Sequence, residues 1–103
     1  MGKIIKIAKI TDLSPGTGNV FEIDGYSIAL FNIAGEFYAI DNICPHKGGA
    51  LGEGKLKGEI VTCPQHGARF NVKTGALIFP PARTGVKIFN VKVVEKDIFL
   101  EVE

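Results

Sequence analysis

The chain has 103 residues, of which 46% are hydrophobic and 22% are charged, and its formal net charge at pH 7 is +1. This length corresponds to one domain, the hydrophobic content argues against disorder, and the balanced charge argues against a nucleic-acid-binding protein. No apolar run approaches the roughly 20 residues that a membrane helix requires, and residues 1–6 lack the apolar core of a signal peptide. We therefore expect a cytoplasmic protein that binds neither membranes nor nucleic acids.

Short runs of β-branched and aromatic residues predict strands along the first half of the chain. The first run is 3–10, where four isoleucines favour a strand although the lysines recur every three residues. The runs 19–23 and 26–33 flank Asp24-Gly25, which is typical of a tight hairpin turn. The run 26–33 is followed, after Ala34-Gly35, by a further predicted strand at 36–40.

The second half continues in the same way. Segments 59–62 and 69–72 predict short strands, and segments 86–94 and 97–102 predict a hairpin around Glu95-Lys96. In the last segment Ile98, Leu100 and Val102 share one face, because side chains alternate along a strand. We predict an all-β domain built from small antiparallel sheets or a sandwich.

Region 43–76 differs from its flanks. It contains seven of the thirteen glycines and every cysteine and histidine of the chain. Cys44 and His46 form a C-x-H motif, and after sixteen intervening residues Cys63 and His66 form a C-x-x-H motif. Predicted strands on both sides indicate an insertion carried by a β scaffold.

Several kinds of site use cysteine and histidine together. A zinc site with two Cys and two His ligands usually begins with two closely spaced cysteines, whereas each motif here offers one of each. A disulfide between the two cysteines would leave both histidines without a role, and a Cys–His nucleophilic pair would not explain the duplicated motif. Mixed motifs suit a binuclear cluster clamped between two similar loops, where Gly48, Gly49 and Gly67 allow the backbone to approach the sulfides.

The two motifs, with the downstream segments Thr74-Gly75 and Pro80-Pro81, resemble a Rieske ferredoxin and are similar to the small ferredoxins of bacterial ring-hydroxylating dioxygenase systems. The resemblance implies a Rieske fold and one [2Fe–2S] cluster per chain. It further implies a set of four ligands, with the cysteines on one iron and the histidines on the other: Cys44, His46, Cys63 and His66.

The resemblance also implies a division of the chain. Residues 1–103 would form a single Rieske domain, with a basal scaffold at about 1–42 and 77–103 and a cluster-binding subdomain at about 43–76. The stretch Phe79-Pro80-Pro81 would be a third loop that covers the cluster, although an ordinary chain turn agrees equally well with these residues.

Three positions depart from the Rieske proteins of respiratory complexes. Those proteins carry two further cysteines, which form a disulfide, where this chain has Gly49 and Gln65, and a serine that donates to a sulfide where this chain has Ala68. Fewer hydrogen bonds to sulfur leave the reduced cluster less stabilised, which lowers the reduction potential. We expect a value at the low end of the roughly −150 to +300 mV that Rieske centres span.

The resemblance implies an electron-transfer protein rather than a catalytic enzyme. A soluble, monomeric ferredoxin would carry single electrons from a flavin-dependent reductase to a terminal oxygenase. The alternative is the Rieske-like small subunit of a larger oxidoreductase, such as assimilatory nitrite reductase; many of these subunits lack the cluster ligands that this chain retains.

Charge is unevenly distributed along the chain. Region 43–76 has five basic residues against two acidic ones, a net charge of +3, and the remainder of the chain carries −2. The basic residues are Lys47, Lys55, Lys57, Arg69 and Lys73, and the acidic ones are Glu53 and Glu59. Such a region either steers docking to acidic partner surfaces or is a solvated surface that maintains solubility.

Overall fold

The structure is a computed structural model in which residues 3–45, 49–65, 67–79 and 84–102 are described. These ranges contain ten β-strands and two 3₁₀ turns, at Ile10–Asp12 and Leu51–Glu53, and no α-helix. The strands are β1 (Lys3–Lys9), β2 (Thr17–Ile23), β3 (Tyr26–Ile33), β4 (Glu36–Asp41), β5 (Lys55–Lys57), β6 (Ile60–Thr62), β7 (Arg69–Asn71), β8 (Leu77–Phe79), β9 (Ile88–Val94) and β10 (Asp97–Val102). Within the described ranges, no helix has the length and apolar character needed to cross a membrane.

The strands form two antiparallel sheets, which confirms the all-β prediction. The six-stranded sheet has the order β1-β10-β9-β4-β3-β2, and the four-stranded sheet has the order β5-β6-β7-β8. In the larger sheet β4 and β9 pair only at Ala39↔Phe89 and Ile40↔Ile88. The sheet therefore consists of two three-stranded halves joined by a short seam.

Two tight turns connect the central strands. Asp24 and Gly25 have φ values of 51° and 83°, and Ala34 and Gly35 have φ values of 53° and 92°. Positive φ at both central residues matches the right-handed twist of the flanking strands, and glycine adopts it without steric cost. The predicted turn at Asp24-Gly25 is confirmed.

Strand β3 is buried on both faces. Ile28 and Leu30 pack into a core with Ile98 and Leu100 of β10. Ala29 and Phe31 point the opposite way, into a second core that contains both cysteines and residues of the four-stranded sheet. A strand covered on both faces is expected to be hydrophobic at every position rather than at alternate ones. Strand β3 thus lies between the two cores, like a wall, and contributes side chains to both of them.

The buried polar side chain near the end of β3 is hydrogen-bonded on both sides of its amide. Asn32 is 3% exposed, and its side-chain Nδ2 donates to the Leu13 carbonyl at 2.8 Å while its Oδ1 accepts from the Gly35 N–H at 2.8 Å. These bonds satisfy a buried amide that would otherwise be costly. They also tie the segment before β2 to the turn that follows β3.

The sequence prediction placed most strands correctly and missed others. Strands β3 and β10 have the predicted bounds, whereas β5 and β8 were not predicted. Strand β5 has one apolar residue and stands between two glycines, and β8 runs directly into Pro80, so neither sequence is typical of a strand. Strand β2 begins two residues earlier than predicted. Its second residue, Gly18, pairs with Phe31, and a β-carbon at Gly18 would meet the Phe31 ring, so a residue of weak strand propensity is required there.

Candidate metal centre

Both cysteines lie in the core between β3 and the four-stranded sheet. Cys44 is 1% exposed and Cys63 is 2% exposed, and no disulfide joins them. Their neighbours in this core include Leu51, Ala68 and Val72, each 0–1% exposed. The structure thus brings together two buried thiols that are nineteen positions apart in the chain.

The loops that carry the two cysteines are closed in the same way. The Cys44 N–H donates to the Gly49 carbonyl at 2.8 Å, and the Cys63 N–H donates to the Ala68 carbonyl at 2.7 Å. Each bond joins a cysteine to the fifth residue after it, so the two loops have the same length.

The flanking residues extend this likeness. Ile43 forms a bridge with Ala50, and Thr62 pairs with Arg69 at the ends of β6 and β7. In both loops the residue before the cysteine therefore pairs with the sixth residue after the cysteine. The C-x-H and C-x-x-H spacings conceal this similarity, because the histidine occupies a different position within loops of equal length.

The two loops come close at Gly49. A β-carbon on Gly49 would lie 2.7 Å from the Cys63 Sγ and 3.3 Å from the Gln65 Cγ. Gly49 itself is buried, so a side chain there has no free volume to enter. The absent side chain allows the backbone of the first loop to approach the Cys63 Sγ. The predicted approach of this glycine to the cluster sulfides stays a prediction.

Asn42 anchors the first loop to the scaffold, a role that its sequence pattern does not predict. It is 4% exposed; its Oδ1 accepts from the Gly52 N–H at 2.8 Å, and its Nδ2 donates to the Ser27 Oγ at 3.0 Å. Its carbonyl accepts from the Leu51 N–H at 2.8 Å. The only signal in the sequence was a polar residue between an apolar strand and Cys44, which is ambiguous because most such residues lie in exposed turns.

The histidines of the two motifs, His46 and His66, lie outside the described residues. Among the described residues, which include both cysteines, no three Cys, Asp, Glu or His side chains are grouped so as to hold a metal ion. The described half of the site nevertheless fits an iron–sulfur cluster, because two buried thiols outside any disulfide are presented by matched loops with backbone close to sulfur. Thiolates of this kind are the protein ligands of such clusters.

A small polar network lies at the end of the four-stranded sheet that is opposite the Cys63 loop. The Asn71 Nδ2 donates to the Glu59 Oε1 at 2.8 Å, and this hydrogen bond is the main reason that the pKa of Glu59 is lowered. The Lys73 Nζ lies 3.5 Å from the Glu59 Oε2 and 5.4 Å from the centre of the Tyr38 ring. The nearby Tyr38 side chain, followed by Glu59, raises the pKa of Lys73.

The predicted third loop is described only at its first residue. Phe79 ends β8 and is 51% exposed, and the Arg69 guanidinium lies 5.1 Å from the centre of its ring. Pro80 and Pro81 are outside the described residues. The role of this loop as a cover for the cluster stays a prediction.

Comparison with known proteins places these features in a family. The family profile described as "Rieske [2Fe-2S] domain" matches residues 3–90. A curated relative from Ralstonia sp., the ferredoxin component of naphthalene 1,2-dioxygenase/salicylate 5-hydroxylase systems, is 33% identical over 99 residues, which cover 96% of this chain and 95% of the relative.

Solved structures give the same result. The ferredoxin of carbazole 1,9a-dioxygenase from Nocardioides aromaticivorans IC177 has a TM-score of 0.90 at 30% identity, covering 95% of this chain and 96% of that one. A ferredoxin solved in complex with the oxygenase of carbazole 1,9a-dioxygenase has a TM-score of 0.88 at 31% identity, covering 94% of this chain and 91% of the other. An NADH-dependent nitrite reductase small subunit from Mycobacterium tuberculosis has a TM-score of 0.89 at 23% identity, covering 100% of this chain and 97% of that one. At this identity the likeness shows a shared fold alone.

Proposed function

Because this chain belongs to the Rieske [2Fe-2S] domain family, we propose that it carries single electrons from a flavin-dependent reductase to a terminal oxygenase. The observation that supports this most directly is the pair of matched loops, each of which presents a buried thiol from the same core. The relatives of this chain are electron carriers of dioxygenase systems. The chain is accordingly an electron-transfer protein with a [2Fe–2S] cofactor, and not a catalytic enzyme.

We propose that Cys44 and Cys63 bind one iron and that His46 and His66 bind the other. The bound cluster would supply one reversible oxidation step. The protein contributes the two cysteine side chains, the apolar core that keeps water from them, and the hydrogen bonds that close each loop. Burial and hydrogen bonding around the ligands are among the factors that set the potential of a redox centre.

Chemical analysis tests the cofactor and its ligands. We expect two irons and two acid-labile sulfides per chain, and an EPR spectrum of the reduced protein that is typical of mixed Cys and His ligation. Zinc without sulfide would contradict the proposal. An all-cysteine EPR signature would contradict the assignment of His46 and His66.

A reconstituted assay tests the direction of electron flow. Product formation by the reductase and oxygenase that act with this protein should require its cluster-loaded form and should stop when it is omitted. The carbazole dioxygenase relative, which was solved bound to its oxygenase, supports the acceptor half of this proposal. Turnover that is unchanged without this protein would contradict it.

Size-exclusion chromatography of the cluster-loaded protein tests the proposal that it is a separate monomeric carrier. Elution at the 11.1 kDa of one chain would agree with a transient partner. Constant co-purification with a large oxidoreductase subunit would instead indicate a permanent small subunit.

A further inference from the structure

The outer face of the four-stranded sheet carries a row of cations beside the Cys63 loop. Lys55 pairs with Thr62, Thr62 pairs with Arg69, and Arg69 pairs with Phe79. Cross-strand partners project from the same face of a sheet, and the contact of the Arg69 guanidinium with the Phe79 ring shows this directly. The opposite face contributes Val61 and Phe70 to the core, both 0% exposed.

This row lies at the base of a cysteine loop. Thr62 precedes Cys63, and Arg69 follows Ala68, whose carbonyl closes the loop. Lys57 lies two residues from Lys55 on the same strand and therefore on the same face. We refer to Lys55, Lys57, Arg69 and Phe79 as the cationic row.

The positive charges of the cationic row have no acidic partner among the described residues. The ion pairs among all the described residues involve other lysines, namely Lys3, Lys6 and Lys73. Lys73 is thus neutralised by Glu59, whereas Lys55, Lys57 and Arg69 are exposed and face solvent. Two acidic residues lie two positions from the row along the chain, Glu53 from Lys55 and Glu59 from Lys57. Both reduce the local charge, but among the described residues neither forms an ion pair with the row.

Apolar groups accompany the charges. Ile78 and Phe79 of β8 are each 51% exposed, and Phe79 belongs to the row itself. Protein interfaces typically combine a few aromatic or arginine anchors with a polar rim. Arg69 stacked on Phe79 supplies such an anchor. Lys55 and Lys57 supply a rim of positive charge.

We propose that the cationic row is the docking surface for a carboxylate-rich patch on a partner protein. Uncompensated positive charge favours a negatively charged surface and accelerates its encounter with the protein. The proposal rests on the proposed electron-carrier function for the identity of the partner, but not for the chemistry that the surface recognises.

Binding of a model anion tests the surface without any electron transfer. The probe is a dye-labelled decaglutamate peptide, titrated against the cluster-loaded protein at low ionic strength and followed by fluorescence anisotropy. The double variant Lys55→Glu/Arg69→Glu reverses two charges of the row. Lys92→Glu/Lys96→Glu reverses two exposed lysines of the β9–β10 hairpin and changes the net charge equally.

We expect the row variant to weaken peptide binding at least about tenfold more than the hairpin variant, because local charge dominates such contacts. Equal weakening by the two variants would mean that only net charge matters, and it would overturn the proposal. Should the reversed row variant fail to fold, Lys55→Gln/Lys57→Gln keeps the Arg69–Phe79 contact and should weaken binding several-fold relative to Lys92→Gln/Lys96→Gln. Equal binding by these two variants would likewise overturn the proposal.

A second measurement tests whether the row lies near the point of electron exit. Reduced protein is oxidised by ferricyanide, which is an anion, in a stopped-flow instrument; one electron passes from the protein to each ferricyanide. The row variant should react several-fold more slowly than the hairpin variant, with the difference lost at high salt. Equal rates would place the row away from the electron exit and overturn its docking role. If the carrier function itself were wrong, the reconstituted oxygenase assay would fail while the peptide result stood.

Discussion

Ala68 lies in the Cys63 loop, at the position where a serine hydroxyl is expected to donate to a cluster sulfide. It is 0% exposed, and its carbonyl accepts the Cys63 N–H at 2.7 Å. A serine would add only one oxygen atom to this loop. Since a hydroxyl donor stabilises the more negative, reduced state, its effect should appear in the potential.

We therefore predict that Ala68→Ser raises the midpoint potential. A net hydrogen bond of about 1 kcal/mol corresponds to about 40 mV for one electron. Protein-film voltammetry measures the shift. Ala39→Ser, the same exchange at a buried site in the other core, is the matched control and should leave the potential unchanged. A fall, or no change with the cluster intact, would contradict the proposed donor geometry.

A substitution at Gly49 tests the contact between the two cysteine loops. A β-carbon there would lie 2.7 Å from the Cys63 Sγ, closer than packed atoms tolerate, so we expect Gly49→Ala to lower the iron and sulfide content of the purified protein several-fold. Gly25→Ala is a control, because a β-carbon at Gly25 meets nothing within 4 Å although its φ is 83°. That variant should lose about 1 kcal/mol of stability and keep its iron. Full iron content in Gly49→Ala would contradict the described approach of the loops.

Glu59 should make the stability depend on pH in the acid range. The Asn71 hydrogen bond lowers the pKa of Glu59 from its usual value of 4.5. A carboxyl group with a lowered folded-state pKa stabilises the fold above its usual pKa, and this contribution disappears as the pH falls through the folded-state value. We predict that Glu59→Gln is less stable than the wild type at pH 6 and that the difference shrinks below about pH 4.5. Thermal unfolding at several pH values measures this; a difference that grows in acid would have the wrong sign.

At the scale of elements, β2 and β3 depend on one close contact. Gly18 pairs with Phe31, and a side chain at Gly18 would collide with the buried Phe31 ring. Overpacking of this kind typically costs about 1–3 kcal/mol.

We predict that Gly18→Ala lowers the free energy of unfolding by about 1–3 kcal/mol and that this cost falls in a Phe31→Leu background, where the ring is absent. Chemical denaturation of the wild type, the two single variants and the double variant measures the coupling. Additive effects would show that Gly18 is required for a reason other than the ring.

The strands also show the limits of sequence patterns. Strands β3 and β10 were predicted with correct bounds, because both are long, rich in β-branched and apolar residues, and bounded by turns. Strands β5 and β8 are three residues each and exist because β6 and β7 supply pairing partners. Their pairing partners were not apparent from local sequence, since the partners lie in other segments.

At the scale of the whole molecule, two cores share the wall formed by β3. The core with Leu51 contains both cysteines, and the core with Leu100 lies on the other face of β3. Both leucines are 0% exposed, so replacement by alanine should cost about 2–5 kcal/mol in each case.

The two substitutions should nevertheless affect the cofactor differently. We predict that Leu51→Ala and Leu100→Ala both lower the denaturation midpoint, but that only Leu51→Ala markedly accelerates loss of the visible absorption of the cluster under native conditions. Circular dichroism and absorption, recorded on the same samples, separate the two effects. Equal rates of cluster loss would indicate that the two cores open as one unit.

The sequence by itself determined the family, the cofactor and the all-β class, because Cys44, His46, Cys63 and His66 form a pattern that few sites share and because strand patterns are local. Only the tertiary structure decided that the cysteine loops are equivalent in length and closure, that Asn42 anchors one of them, and that the cationic row lies beside the other. Each of these depends on which segments pair across the sheets. Pairing is set by burial and register over the whole chain, which no local run of residues specifies.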